Sequence, residues 1–370
     1  MGRRDQPTDA LRDYCQYLSE ALRRTNVALS IAEIRWEREG WLRALAKLWR
    51  DAKAWRGRWV LVQFTELMWS RRGFPLRLLT VLGVLKARRV RVAMLFHDAG
   101  VGKPRRGFNR VRVPVQYWVM RKAYDWAARS VFTVPLEPIS WLPSHPRKAA
   151  LVPVGPNVPS LEDCPRAPAS RVAPTTVCVF GVATFPPAQA EEVQAISFAV
   201  REATRHVPGL RLVIMGRGAK EAEPALRLGL NSAQLNLEVR GVLPAEEISC
   251  LLASSDVLLF PRGPISSRRG SGIAGIACGL PIVAYSGRET GFPLTEAGVV
   301  LVPQGDLAAL ANALVRVLGD SDLRQRMAAR SLRAHQQWFC WDSIARRLAR
   351  VLEEDGAAAE AVAVGLAEAS

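Results

Sequence analysis

The chain has 370 residues, of which 49% are hydrophobic and 23% charged. This composition excludes wholesale disorder, and the length exceeds what one hydrophobic core serves, so two domains are expected. The net charge is +17 and uneven, with 30 basic and 12 acidic residues in 1–150 against 21 and 22 in 151–370, an asymmetry that points to an anionic partner for the first half.

Helical spacing opens the chain over residues 8–24, where Leu11, Tyr14, Cys15, Leu18 and Leu22 recur at three and four residues, with Thr8 or Asp9 as the cap. Residues 27–34 read as a strand. A helix is expected over 41–55, with Trp41, Leu45, Leu48, Ala52 and Trp55 on one face and Arg43, Lys47, Arg50 and Lys53 on the other. That is the pattern of a helix lying on an acidic membrane surface, or of one packed on its own sheet. Apolar runs at 59–64 (WVLVQF) and 90–96 (VRVAMLF) read as buried parallel strands. Helices over 75–88 and 114–128 and short strands at 131–134 and 150–154 complete this half. The Pro-rich stretch VPVGPNVPSLEDCPRAPASRVAP marks a linker, with the domain boundary near 160–175.

Beyond it, strands are expected at 177–180, 210–215, 235–239, 257–260, 282–285 and 299–302. Helices are expected at 188–206, 244–254, 271–278 and 307–318, the last capped by Asp306 with Leu307, Leu310, Leu314 and Val317 on one face. Strand–helix alternation means a parallel, doubly wound sheet. The expected division is an N-terminal domain over 1–160, a second Rossmann-like domain over 175–340, a closing helix over 341–354 and a low-complexity Ala-rich tail over 355–370. No run of about eighteen apolar residues occurs, so no spanning helix is expected, and the N-terminus lacks the apolar segment of a signal peptide. The six cysteines, 15, 164, 178, 250, 278 and 340, show no metal spacing and read as reduced residues of a cytoplasmic protein.

Open α/β sheets bind ligands at the carboxyl ends of their strands. In the second half those ends carry Gly181, Gly216, Arg217, Gly241 and the loop ISSRRGSG, where Arg268 and Arg269 precede Gly270 and Ser271 at a helix start. Two guanidinium groups beside free helix N–H groups make an anion site; a glycine-rich turn with solvated arginines is the plainer reading.

The run from LLASSDVLLFP through SSRRGSGIAGIACGLPIVAYSG to VLVPQGD, with LRLVIMGRG and LEVRGVLPAEEISCLLA before it and WFCWDSIARRL after it, resembles the donor-binding domain of the retaining group-one (family four) glycosyltransferases. VLVQFT, VAMLFHD and VPVGPNVP in the first half are similar to the same group. The resemblance implies an α/β protein of the GT-B fold, two Rossmann-like domains facing a cleft, the second binding a nucleotide-diphosphate sugar and the first an acceptor. It implies a glycosyltransferase (hexosyltransferase class), retaining and independent of metal, without a cofactor, acting on a glycan or lipid-linked acceptor in polysaccharide synthesis. The protein is expected in the cytoplasm, peripheral on the inner face of the membrane, with no nucleic-acid partner.

It also implies that His97, which ends the strand VAMLFH, faces the donor sugar as the catalytic residue; a loop histidine closing a strand is the alternative. Histidines 145, 206 and 335 read as surface residues. Two departures stand out. The family's two donor-loop glutamates are replaced by Ser266 and Ala274, and its basic pair after the domain's first strand is missing from Gly181-Val182-Ala183-Thr184-Phe185. An inactive partner protein or a nucleotide-sugar epimerase on the same fold are the rival readings, while a pyridoxal-phosphate phosphorylase is disfavoured because Lys220 is the only lysine of the second domain. In the family a strand precedes the first helix. Only seven polar residues precede it here, so the start is expected to lie upstream, or a strand to be lost.

Overall fold

A computed structural model describes residues 10–34, 36–65, 68–70, 72–100, 109–159, 175–231 and 235–353. The cap at Thr8 or Asp9, the question of an opening strand, residues 160–174 of the linker and the tail from 355 lie outside the described residues. The chain forms two compact units, one ending at Pro153 and resuming at Ile344, the other running from Val154 to Ser343.

The first unit is built on four parallel strands, β1 (Trp59–Phe64), β2 (Arg91–Phe96), β3 (Arg129–Phe132) and β4 (Ala149–Leu151), in that spatial order. The apolar runs form strands because both faces are covered. Residues 92–96 of β2 are all buried, and Phe96 pairs with Phe64 on one side and Phe132 on the other. The Phe96 and Phe132 rings stack at 4.8 Å between centroids. Helices α1 (Ala10–Arg23), α2 (Trp36–Glu39), α3 (Trp41–Asp51), α4 (Leu76–Ala87), α5 (Asn109–Trp126) and, from the chain's end, α12 (Trp341–Glu353, in this unit from Ile344) accompany the sheet.

Two expectations are corrected here. Residues 27–34 form no strand. After α1 the chain turns at Asn26, at φ 61; Ile31 is 50% exposed, and Ser19 Oγ donates to the Leu29 carbonyl at 2.8 Å. A central parallel strand needs cover on both faces, and this segment has little on either. The apolar face of α3 is not free for a membrane either. Leu48 and Ala52 are buried, and Trp41, Leu45 and Trp55 pack on the unit's own core, the usual destination of an amphipathic helix in a globular domain. What α3 exposes instead is Leu42 and Trp49, the latter beneath the Arg88 guanidinium at 3.7 Å from its ring centroid.

The second unit holds six parallel strands, β5 (Thr176–Phe180), β6 (Arg211–Met215), β7 (Asn236–Gly241), β8 (Val257–Pro264), β9 (Ile282–Tyr285) and β10 (Val299–Val302), in the order β10-β9-β8-β5-β6-β7. The reversal of direction falls between β5 and β8. Its helices are α6 (Ala188–Thr204), α7 (Ala219–Gly229), α8 (Ala245–Ala253), α9 (Gly270–Ala277), α10 (Leu307–Gly319) and α11 (Ser321–Ala334). Asp306 caps α10 as expected, accepting from Ala309 N at 2.8 Å, and Leu310, Leu314 and Val317 are buried beneath it. The sequence reading did not foresee α7 and α11. Pro224 lies inside the first, and the second buries only Met327, Ser331 and Ala334.

Cys15, Cys178, Cys278 and Cys340 are free thiols, as expected, but Cys250, exposed on α8, is disulfide-bonded; an exposed thiol lacks the shielding that keeps a buried one such as Cys178 apart from partners.

His145 and His206 are exposed, but His335 is half-buried in the π-helical turn His335–Phe339, and burial lowers its pKa to about 4. Folding therefore holds it neutral while the unfolded chain binds a proton below about pH 6.5. Its contribution is complete above that pH and is lost as pH falls toward 4, on the order of 2 kcal/mol at pH 5. Between pH 7.5 and 5 the wild-type unfolding free energy should fall further than that of His335→Gln by this amount in urea titrations. Parallel pH slopes would refute the assignment.

Candidate functional site

In the second unit the sheet's carboxyl ends are locked together by main-chain bonds. Gly181 N donates to the Met215 carbonyl at 2.8 Å, Val182 N to that of Arg217 at 2.9 Å, and Gly216 N to that of Gly241 at 2.6 Å. Thus four expected residues, Gly181, Gly216, Arg217 and Gly241, do converge. The glycine requirement is steric: Gly218 sits at φ 74, where a Cβ would overlap the Val182 carbonyl. Because the amides of Gly181 and Gly216 are already satisfied, what these loops offer a ligand is close approach rather than hydrogen bonds.

Across the switch point, β8 departs from register with β9 between Phe260 and Pro264, with Gly263 at φ 58. Such bulges re-aim side chains beside active sites. Here Arg262 reaches back toward β5, and a Cβ on Gly181 would lie 3.3 Å from Arg262 Nη1. Beyond the bulge, Ser266 is buried, and Arg269 occupies the N-cap of α9 with no side-chain cap bond, leaving Gly270 and Ser271 in its first turn. Ala274, the position of the second missing glutamate, is fully buried in that helix. Asn157 Oδ1 would lie 3.6 Å from a Cβ on Gly270, which brings the VPVGPNVP segment to the same helix start. Arg268 Nε donates to Glu289 Oε2 at 2.7 Å, in the loop after β9.

Sequence reading missed Glu192. It is 6% exposed on α6, and Oε2 accepts from Ala183 N at 2.6 Å. Burial pushes its carboxyl pKa up, against the Ala183 N–H and the positive charges of Arg262 and Arg269, which pull it down. One buried carboxylate thus closes the loop after β5 and lies within the field of both arginines. A groove of about 360 Å³ between α6 and α7, lined in part by Gln189, Val193 and Ser197, lies along the helices rather than at the strand ends and gathers none of these charges.

In the first unit His97 follows β2 and is half-buried. Its main chain is fixed by His97 N donating to the Phe64 carbonyl at 3.0 Å. Its ring Nε2 lies 2.6 Å from Gln63 Oε1, and Tyr14 of α1 meets the ring edge-on at 5.0 Å between centroids. Gln63 and Tyr14 were not legible as partners beforehand; β1 pairing beside β2 and α1 folding over the sheet end bring them there. An amide oxygen opposite Nε2 makes that nitrogen the N–H, leaving Nδ1 the acceptor. Among the described residues no three His, Cys, Asp or Glu side chains converge as a metal site, and no helix is long and apolar enough to cross a membrane.

Residues 178–320 match the family model for glycosyl transferases group 1. Over 155 residues, 40% of each chain, the sequence is 30% identical to a GDP-mannose-dependent monoacylated alpha-(1-6)-phosphatidylinositol monomannoside mannosyltransferase of Corynebacterium glutamicum, so the match spans about two fifths of that relative's length. Among solved structures, Anabaena HepE in complex with UDP and glucose superposes at a TM-score of 0.62, with 13% identity, over 95% of this chain and 98% of that one. A UDP-forming trehalose-phosphate synthase from Burkholderia xenovorans superposes at 0.60, with 14% identity, over 93% and 86%. At such identities these superpositions speak to the fold, and the family match falls on the unit where the loops, glycines and arginines meet. Residues 178–320 thus carry the similarity to the group-one glycosyl transferases, and the chain shares the GT-B fold of those solved structures.

Proposed function

We propose that the protein is a glycosyltransferase that moves a sugar from a nucleotide-diphosphate donor to a glycan or lipid-linked acceptor. The transfer proceeds with retention, without a metal ion or a cofactor. The observation that carries this reading is the coincidence of the group-one match at 178–320 with the carboxyl-end cluster of Gly181, Gly216, Gly241, Arg262 and Arg269. Guanidinium groups and the first turn of α9 supply the charge that a diphosphate leaving group needs. His97, with Nε2–H held by Gln63, positions the reacting groups on the acceptor side. The relative is named for GDP-mannose and HepE was solved with UDP and glucose, so both nucleotide classes belong in the test. Incubation with UDP- and GDP-sugars, with and without EDTA, should release one nucleotide diphosphate, equally in both conditions, and NMR should find the product anomer unchanged from the donor. Tight nucleotide binding with no turnover on any acceptor would favour the inactive-partner reading, which rests on the loss of the glutamates at Ser266 and Ala274.

The acceptor side is proposed to work at an acidic lipid surface, on the cytoplasmic face of a membrane. The first 150 residues hold the chain's excess of positive charge, and α3 exposes Leu42 and Trp49 beside Arg88. Basic groups near an acidic leaflet contribute about 1 kcal/mol each. Co-sedimentation should require phosphatidylglycerol-containing vesicles, fall with salt, and weaken several-fold in a Leu42→Ser/Trp49→Ser variant. Equal sedimentation with neutral vesicles, or none with either, would remove the membrane from the account.

A further inference from the structure

We propose that Glu192 is a resident counter-ion at an anion seat formed by Arg262 and Arg269, and that a nucleotide diphosphate binds by taking its place opposite those arginines. The proposal rests on the donor-binding reading above and goes beyond it, because it adds Arg262 and Glu192, to which the sequence did not point, to Arg269.

Three observations on separate elements meet at one place. The bulge in β8 carries Arg262 across the switch point until its guanidinium borders Gly181. The loop after β5, at Gly181-Val182-Ala183-Thr184-Phe185, has no basic residue of its own, so Arg262 brings to it a charge it lacks. Arg269 stands at the N-cap of α9, where the helix start itself favours negative charge. Glu192 is buried and accepts from Ala183 N, two residues after Gly181, and it feels the charge of both arginines.

A carboxylate in so dry a position is costly unless paired, and it imitates what a phosphate oxygen does: it accepts from a loop amide and balances two guanidinium charges. Two anions beside one pair of arginines repel, so a diphosphate gains only what Glu192 gives up. Removing the charge of Glu192 while keeping its acceptor oxygen should therefore strengthen anion binding, whereas removing Arg262 should weaken it.

Calorimetry with inorganic pyrophosphate, UDP, GDP, uridine and guanosine tests this on the full chain, with thermal melts as a check on folding. Arg262→Ala should weaken pyrophosphate and nucleotide binding tenfold or more and leave nucleoside binding unchanged, with Arg262→Lys between the two. Glu192→Gln should tighten pyrophosphate and nucleotide binding several-fold. Wild-type affinity in Arg262→Ala, or weakened binding in Glu192→Gln, would overturn the seat even if sugar transfer is intact. Failure of the wild-type chain to bind pyrophosphate or either nucleotide would overturn it too. The expected pattern in a chain that transfers no sugar would uphold the seat and count against the transferase reading alone.

Discussion

Replacing His97 with Ala is expected to lower kcat for sugar transfer about a hundredfold or more, the size of effect seen when one preorganised donor to a developing charge is removed, while nucleotide-diphosphate affinity changes by less than about twofold. The two expectations separate because His97 and the arginines sit in different units. Its own amide to the Phe64 carbonyl, Nε2 to Gln63 and the edge of Tyr14 help hold His97 in a fixed attitude. Gln63→Leu keeps the volume and removes the hydrogen bond that fixes the tautomer, so it should cost about tenfold in kcat and leave the donor KM in place, whereas a merely structural role for Gln63 would disturb both. Steady-state kinetics on the donor found active in the sugar panel would check both. Full kcat in His97→Ala would remove this histidine from the mechanism.

The largest effect on stability is expected from Gly218→Ala. Its φ of 74 disfavours any L side chain, and the new Cβ would overlap the Val182 carbonyl, so the lock between the loops after β5 and β6 must shift. Left-handed backbone costs roughly 1–2 kcal/mol, and forcing a methyl into a packed site a further 1–3 kcal/mol, which gives a loss of about 3 kcal/mol. Gly209→Ala is the internal comparison. It has φ 69 but open space around it, so it should lose only the backbone share, roughly 1–2 kcal/mol. Urea denaturation of the two variants measures the difference, and equal losses would mean that the loops part freely.

The parallel sheets were legible because WVLVQF, VRVAMLF, VCVF and VLLFP are unbroken apolar runs, the mark of strands covered on both faces. Residues 27–34 misled because a strand-like segment says nothing about whether a neighbouring strand exists. The apolar face of α3 was visible, but periodicity cannot tell a core from a lipid surface as its destination. The glycine positions at the strand ends were readable, since positive φ leaves few other residues possible. Arg262 and Glu192 were not. Their meeting depends on β8 lying beside β5 and on a one-strand bulge, neither of which has a local signature. The Glu289 partner of Arg268 was not legible either, since it comes from the loop after β9.

The connectivity of the first unit has a bearing on how the protein is made. Ile344, Ala345 and Leu348 of α12 are buried, and Arg129 Nε, at the start of β3, donates to the Val351 carbonyl at 3.1 Å. A ribosome therefore releases all of the second unit before the last helix of the first has emerged. Domains generally fold in the order of their synthesis, yet here the unit begun first is finished last. While the second unit folds, the surface awaiting α12 stays open on the nascent chain, which makes that interval the one in which chaperone engagement would matter most.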